Sequence, residues 1–138
     1  MKHSKTPRNL PSARELRELQ VEIDFFEGLA VADPGNPDVL RALGDNYTRA
    51  GRHADSLRVD VTLARLLPDD SMIHYNLACS YALTSQIERA IETLQRSMDL
   101  GFRDFEWIDS DPDLTPLRNH PLFGAVRAKI RALQRCRH

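Results

Sequence analysis

Between residues 40 and 47 the apolar and small positions are Leu40, Leu43, Gly44 and Tyr47. That spacing makes one stripe along a helix of about 3.6 residues per turn. Leu57, Val61 and Ala64 read as the matching stripe of a following helix, with Gly51 ending the first and Pro68 closing the second. Glycine adopts the left-handed backbone of a helix C-terminus without strain, and proline cannot sit in a helix interior. Upstream, Ser12-Ala13-Arg14-Glu15 is a capping box, so a helix is expected from about Ala13 carrying Leu16, Leu19, Val21, Ile23, Phe26, Leu29 and Ala30. The cluster Asp33-Pro34-Gly35-Asn36-Pro37 ends it. Downstream, Asp70 or Ser71 caps the next helix, and Gly101 terminates the one after. Phe105, Trp107 and Ile108 predict a short helical turn, Asp111-Pro112 and Asn119-His120-Pro121 two further caps, and Leu122, Ala125, Val126, Ile130 and Leu133 one face of a last helix over 121–134.

The helices are not independent. Leu43 recurs as Leu77, Gly44 as Ala78 and Tyr47 as Tyr81, at the same offset in each case. The first copy runs Leu40-x2-Leu43-Gly44-x2-Tyr47, then Ser56 and Pro68; the second runs His74-x2-Leu77-Ala78-x2-Tyr81, then Ala90-x3-Leu94. Phe26 and Pro34 stand one such period before Asp60 and Pro68, which puts the first helix in the place of the second helix of a truncated preceding unit. Small residues at Gly44, Ala78 and Ala90 let two backbones approach.

These two copies, in period and in pattern, resemble the tetratricopeptide repeat, two antiparallel helices per unit. The run Tyr75–Leu83, followed by Leu100–Arg103, Asp111–Leu114, Leu117-Arg118 and Pro121–Phe123, is similar to the C-terminal part of many bacterial proteins of that family. The fold implied is all-α: helical hairpins stacked as an α-α superhelix of about two and a half repeats with capping helices. One domain is expected over 12–135, with a cap helix at 12–33, repeats at 37–68 and 71–101, capping helices at 104–135, and a disordered tail at 1–11.

The resemblance implies a non-catalytic adaptor or scaffold whose first helices line a concave groove for a peptide or protein. The groove residues would be Asp38, Arg41, Asp45, Thr48 and Arg49 from the first copy and Met72, Tyr75, Cys79 and Ala82 from the second. The chaperone-tail subclass fits poorly: Asn76 matches its middle asparagine, but Asp45 stands where another belongs. Acids around Asp104 and Glu106 replace its basic pair.

Composition narrows the function without naming a partner. The 138 residues carry a net charge of -1, 41% hydrophobic and 28% charged residues, ordinary for a globular domain. No apolar run approaches the roughly 18 residues that span a bilayer, so no membrane role and a cytoplasmic location are expected. Cys79 and Cys136 do not suggest a disulfide framework. Charge is polarised: Asp99, Asp104, Glu106, Asp109, Asp111 and Asp113 face one base, Arg103, and no acid follows Asp113. The basic segment Arg118, Arg127, Lys129, Arg131, Arg135 and Arg137 gives a second reading, an acidic partner or nucleic acid, with nucleic acid ranked low. Self-association through an end face, making a homo-oligomer, is a third.

Catalytic, metal and cofactor sites are not expected. Cys79 and His74 are loosely placed on one helix, and the five histidines lack zinc spacing. His74 reads as packing. The acids of 104–113 lack the glycine and closing glutamate of a calcium loop, and three of them read as helix caps and first-turn charges. The glycines are scattered, with no phosphate-binding loop. Phe102, Phe105 and Trp107 read as the plug of the last repeat.

Overall fold

The computed structural model describes residues 10–136; the expected tail lies, up to residue 9, outside them, as does Arg137. The described residues are all-α: α1 (Ala13–Ala32), α2 (Pro37–Arg49), α3 (His53–Leu66), α4 (Ser71–Leu83), α5 (Ile87–Asp99), α6 (Phe105–Ser110), a 3-10 turn (Pro112–Leu114), α7 (Thr115–Arg118) and α8 (Phe123–Arg135). They gather into two compact units that meet in sequence at Asp69 and Asp70.

Local chemistry sets most of the boundaries. Ser12 Oγ accepts the Glu15 amide at 3.1 Å, Asn36 Oδ1 the Asp38 amide at 3.0 Å, and Asp70 Oδ1 the Met72 amide at 3.0 Å. Each satisfies an N–H that a helix start leaves without an intrahelical acceptor. At the C-termini of α2, α4 and α5 the chain closes the same way three times. Arg52 N bonds Tyr47 O at 2.8 Å, Gln86 N bonds Tyr81 O at 2.9 Å, and Phe102 N bonds Ser97 O at 3.0 Å. This six-to-one bond needs a left-handed residue just before its donor. Gly51 (φ 76°) and Gly101 (φ 117°) fill that place, and Ser85 (φ 65°), one repeat period after Gly51, fills it without being a glycine. The expected cap at Asn119-His120 is not used: α8 starts at Phe123 with no side-chain cap, and His120 Nδ1 accepts the Leu122 amide at 3.1 Å.

In the N-terminal unit α2 packs against both α1 and α3. Leu43 and Tyr47 meet Ile23 of α1, with Phe26, Ala30, Val39 and Val59 around them. The inward face of α3 differs from the expected one. Ser56, Asp60 and Leu63 are buried, while Leu57 and Ala64 are half-buried and Val61 is exposed. The cause is that α3 turns polar groups toward α2: Ser56 Oγ donates to Gly44 O at 3.3 Å and lies 2.8 Å from Thr48 Oγ1.

In the C-terminal unit α4 and α5 form a hairpin, and the segments after α5 fold back over it. Ala78, Ala90, Leu94, Met98, Leu117 and Val126 have no exposed surface. Phe102 and Phe105 belong to this core, with Trp107 packed against it, the plug expected from the sequence. Leu122 and Ala125, expected inside, are exposed, since Leu122 precedes α8 and does not follow its period.

Candidate functional site

The residues expected to line a groove fall into two unlike sets. On α4, Tyr75, Cys79 and Ala82 are buried, and only Met72 keeps substantial exposure. The burial is made by the chain's own later segment, because the 3-10 turn at 112–114 packs on α4. Tyr75 stacks on Phe102 with ring centroids 4.3 Å apart and planes 4° from parallel. Its hydroxyl donates to Asp111 Oδ2 at 2.6 Å, and Cys79 Sγ lies 3.7 Å from the same oxygen. Asp111 Oδ1 accepts the Asp113 amide at 2.9 Å, so this one carboxylate both caps the turn and ties it to Tyr75. Burial first, and then the neighbouring Cys79 and Asp111, push the Tyr75 hydroxyl well above the usual phenol range. Tyr75, Cys79 and Ala82 thus serve as core and not as surface.

The same place brings Cys79, Asp111 and Asp113 together with potential ligand atoms within 4.8 Å of one another. Nothing in the sequence pattern pointed to this cluster, since Cys79 and Asp111 lie far apart along the chain. Both Asp111 oxygens already accept hydrogen bonds from the protein, which makes the group a structural knot. Arg118 locks the turn from the other side: its Nη1 donates to Ile108 O at 2.9 Å and to Asp111 O at 3.0 Å.

On α2, Asp38, Arg41, Asp45 and Arg49 are exposed in a row. They pair along the helix, Arg41 with Asp38 at 3.5 Å and Arg49 with Asp45 at 4.0 Å. Exposed pairs of this kind contribute about 0.3–0.5 kcal/mol and leave the charges accessible. Thr48 is half-buried and bonds Gly44 O at 2.9 Å, so it belongs to the α2–α3 contact. Behind this row Tyr47 donates to Glu27 Oε2 at 2.5 Å, and the Arg52 guanidinium sits 4.7 Å from the Tyr47 ring centroid. Burial, and then the Glu27 bond, push the Tyr47 pKa up to about 12.

The most exposed apolar surface lies on α1, which the sequence reading did not single out. Leu19 and Ile23 are buried, but Val21 is 70% and Phe25 61% exposed, with Leu29 exposed beside them. At about 100° per residue, Val21, Phe25, Gly28, Leu29 and Ala32 form a second stripe facing away from the buried one. The repeat register contains the signal. Phe25 and Leu29 stand one period before Val59 and Leu63, and Val59 packs beside Gly44 of α2 while Leu63 is buried. On α3 these positions are covered; on α1 they are bare.

The basic C-terminal segment is mostly spent internally. Besides Arg118, Arg127 pairs with Asp109 at 3.8 Å and lies over the Phe123 ring, and Lys129 pairs with Asp99. Acidic and basic segments therefore neutralise one another within the C-terminal unit. Arg131 and Arg135 stay exposed, on the side of α8 that also shows Gly124, Ala125 and Ala128.

No helix among the described residues is long and apolar enough to cross a membrane. No family model matches the chain. It is 32% identical over 114 residues to a chloroplastic protein of Arabidopsis thaliana, covering 80% of this chain and 33% of that protein. It is 25% identical over 117 residues to "BBSome complex member BBS4" of Xenopus tropicalis, covering 85% of this chain and 22% of that protein. The chain thus spans about a third and a fifth of the lengths of these curated relatives, and it is an all-helical protein with weak similarity to both.

Proposed function

We propose that the chain is a non-catalytic protein-interaction module of tetratricopeptide type, which docks a helix of a partner protein on the outer face of α1. The observation that carries this reading is the exposed stripe Val21, Phe25 and Leu29. Large apolar side chains in contiguous exposure mark interaction surfaces. The fitting occupant is a helix with small residues on its contacting face, because Gly44 of α2 is what Val59 meets at the equivalent place on α3. In this reading the module holds partners together without chemistry of its own, its one buried thiol being engaged with Asp111. The relative named as a complex member is in keeping with such a role.

The charged row Asp38, Arg41, Asp45 and Arg49 supports a second docking surface, since its exposure leaves it free of the burial that removes Tyr75, Cys79 and Ala82. Photo-crosslinking separates the two. With p-benzoylphenylalanine in place of Phe25 or, in a second protein, of Asp45, adducts are expected in cells at Phe25, on a helical peptide of the partner. Adducts at position 45 alone move docking to α2, and adducts at neither overturn the interaction reading.

A further inference from the structure

We infer that the helix received by α1 is α8 of a second copy, so that the chain associates head to tail. This rests on α1 being a docking face, and it adds the identity of the occupant. Three observations select α8. The first is size: α1 projects Val21, Phe25 and Leu29, whereas the outer face of α8 offers Gly124, Ala125 and Ala128, all exposed. Large side chains on one helix against small ones on the other allow close approach at native packing density. The second is charge. Along the exposed positions of α1, Glu15, Glu18, Glu22 and Asp24 outnumber Arg14 and Arg17, while α8 holds only bases. Of these, Arg131 and Arg135 stay exposed on the outer face, beside the small residues. The third is the poor fit of the symmetric alternative: two copies of α1 facing each other would bring together helices of net -2 each, counted over Glu15, Glu18, Glu22, Asp24, Arg14 and Arg17, with Glu27 turned inward to Tyr47.

The joint is heterologous, one patch meeting a different patch, and such joints leave a free α1 at one end and a free α8 at the other. Association then continues beyond two copies, as an open chain or a closed ring. A single helix pair buries less than a standard interface, so the affinity is modest and weakened by salt.

Sedimentation of the full chain tests this. The mass is expected to rise above 15.7 kDa with concentration and to fall back as salt is raised. Two surface variants decide the geometry, each checked for wild-type helicity: Val21→Asp/Phe25→Asp blocks α1, and Ala128→Glu/Arg131→Glu blocks α8. Each alone should remain monomeric, and an equal mixture should form a one-to-one dimer of twice the chain mass, since each retains the face the other has lost. An α8-blocked variant that still self-associates would overturn the inference in favour of α1 pairing with α1. A wild-type monomer at every concentration up to about 1 mM would overturn it outright. If that monomer nevertheless gives Phe25 adducts to a different protein, the docking role of α1 survives and the second copy is ruled out.

Discussion

Removing the Asp111 carboxylate should destabilise the C-terminal unit more than its single position in a short turn suggests. Asp111 is fully buried, accepts the Tyr75 hydroxyl at 2.6 Å and accepts the Asp113 amide at 2.9 Å. In Asp111→Ala the cap is lost, at about 1 kcal/mol. The Tyr75 hydroxyl also keeps its desolvation but loses its acceptor, at about 1–3 kcal/mol. Together these come to roughly 2–4 kcal/mol, a large share of the few kcal/mol that hold a unit of this size. At about 4–8 °C per kcal/mol the midpoint should fall by at least about 8 °C.

Trp107 makes the measurement specific. It is the one tryptophan of the sequence, packed against the C-terminal core, so its fluorescence in urea follows that unit alone. Tyr75→Phe should cost less, about 1–2 kcal/mol, because Asp111 keeps its bond from the Asp113 amide. The double variant should then lose less than the sum of the two single ones by about 1 kcal/mol, the signature of a direct contact. A loss below about 1 kcal/mol in Asp111→Ala, or strict additivity, would refute the assignment of Asp111 as the joint that holds α4 to the later turn.

Ser85→Gly should raise the stability of the C-terminal unit by about 1 kcal/mol in the same urea assay, since Ser85 holds φ 65° where Gly51 stands one repeat earlier. An unchanged or lowered midpoint would show that the serine relieves this strain by other means. In the N-terminal unit, Tyr47 should ionise near pH 12 by ultraviolet difference absorbance against Tyr47→Phe. Its native pKa is raised above the unfolded value of 10.0, so its contribution is fully present below pH 10 and disappears as pH rises through about 12. Wild type should therefore lose stability relative to Tyr47→Phe across that window, and a midpoint at the ordinary 10.0 would contradict the part-buried Glu27 bond.

Helix identity and most boundaries were readable because their determinants are local. Ser12, Asp70 and Asp111 cap amides only a few positions away, and Gly51 and Gly101 close helices by a backbone conformation. Faces were less readable. Apolar periodicity chose Leu57, Val61 and Ala64 for α3, while the true contact uses Ser56 and Asp60, whose polarity hides them from a hydrophobic count. On α1 two apolar stripes lie on opposite sides, and periodicity alone cannot say which is covered. The repeat register sets Phe25 and Leu29 against Val59 and Leu63, which α3 keeps covered, so taken alone it points to the stripe that is bare on α1.

The α4 face illustrates why a repeat pattern can misplace a binding site. Transferring the register from α2 to α4 assumes that equivalent positions see equivalent surroundings, yet the two helices have opposite compositions. On α2 the positions Asp38, Arg41, Asp45 and Arg49 are charged, as a solvated side should be. On α4 the corresponding side carries Met72, Tyr75 and Cys79, so apolar residues surround the helix almost completely. A helix apolar all round is one covered all round. The cover comes from a turn beyond the next two helices, recruited by Asp111 with Pro112 at its first position, and only the three-dimensional fold reveals that pairing. The burial of Tyr75, Cys79 and Ala82 thus corrects the groove expected on α4, and by the same argument the bare apolar stripe of α1 asks for a partner.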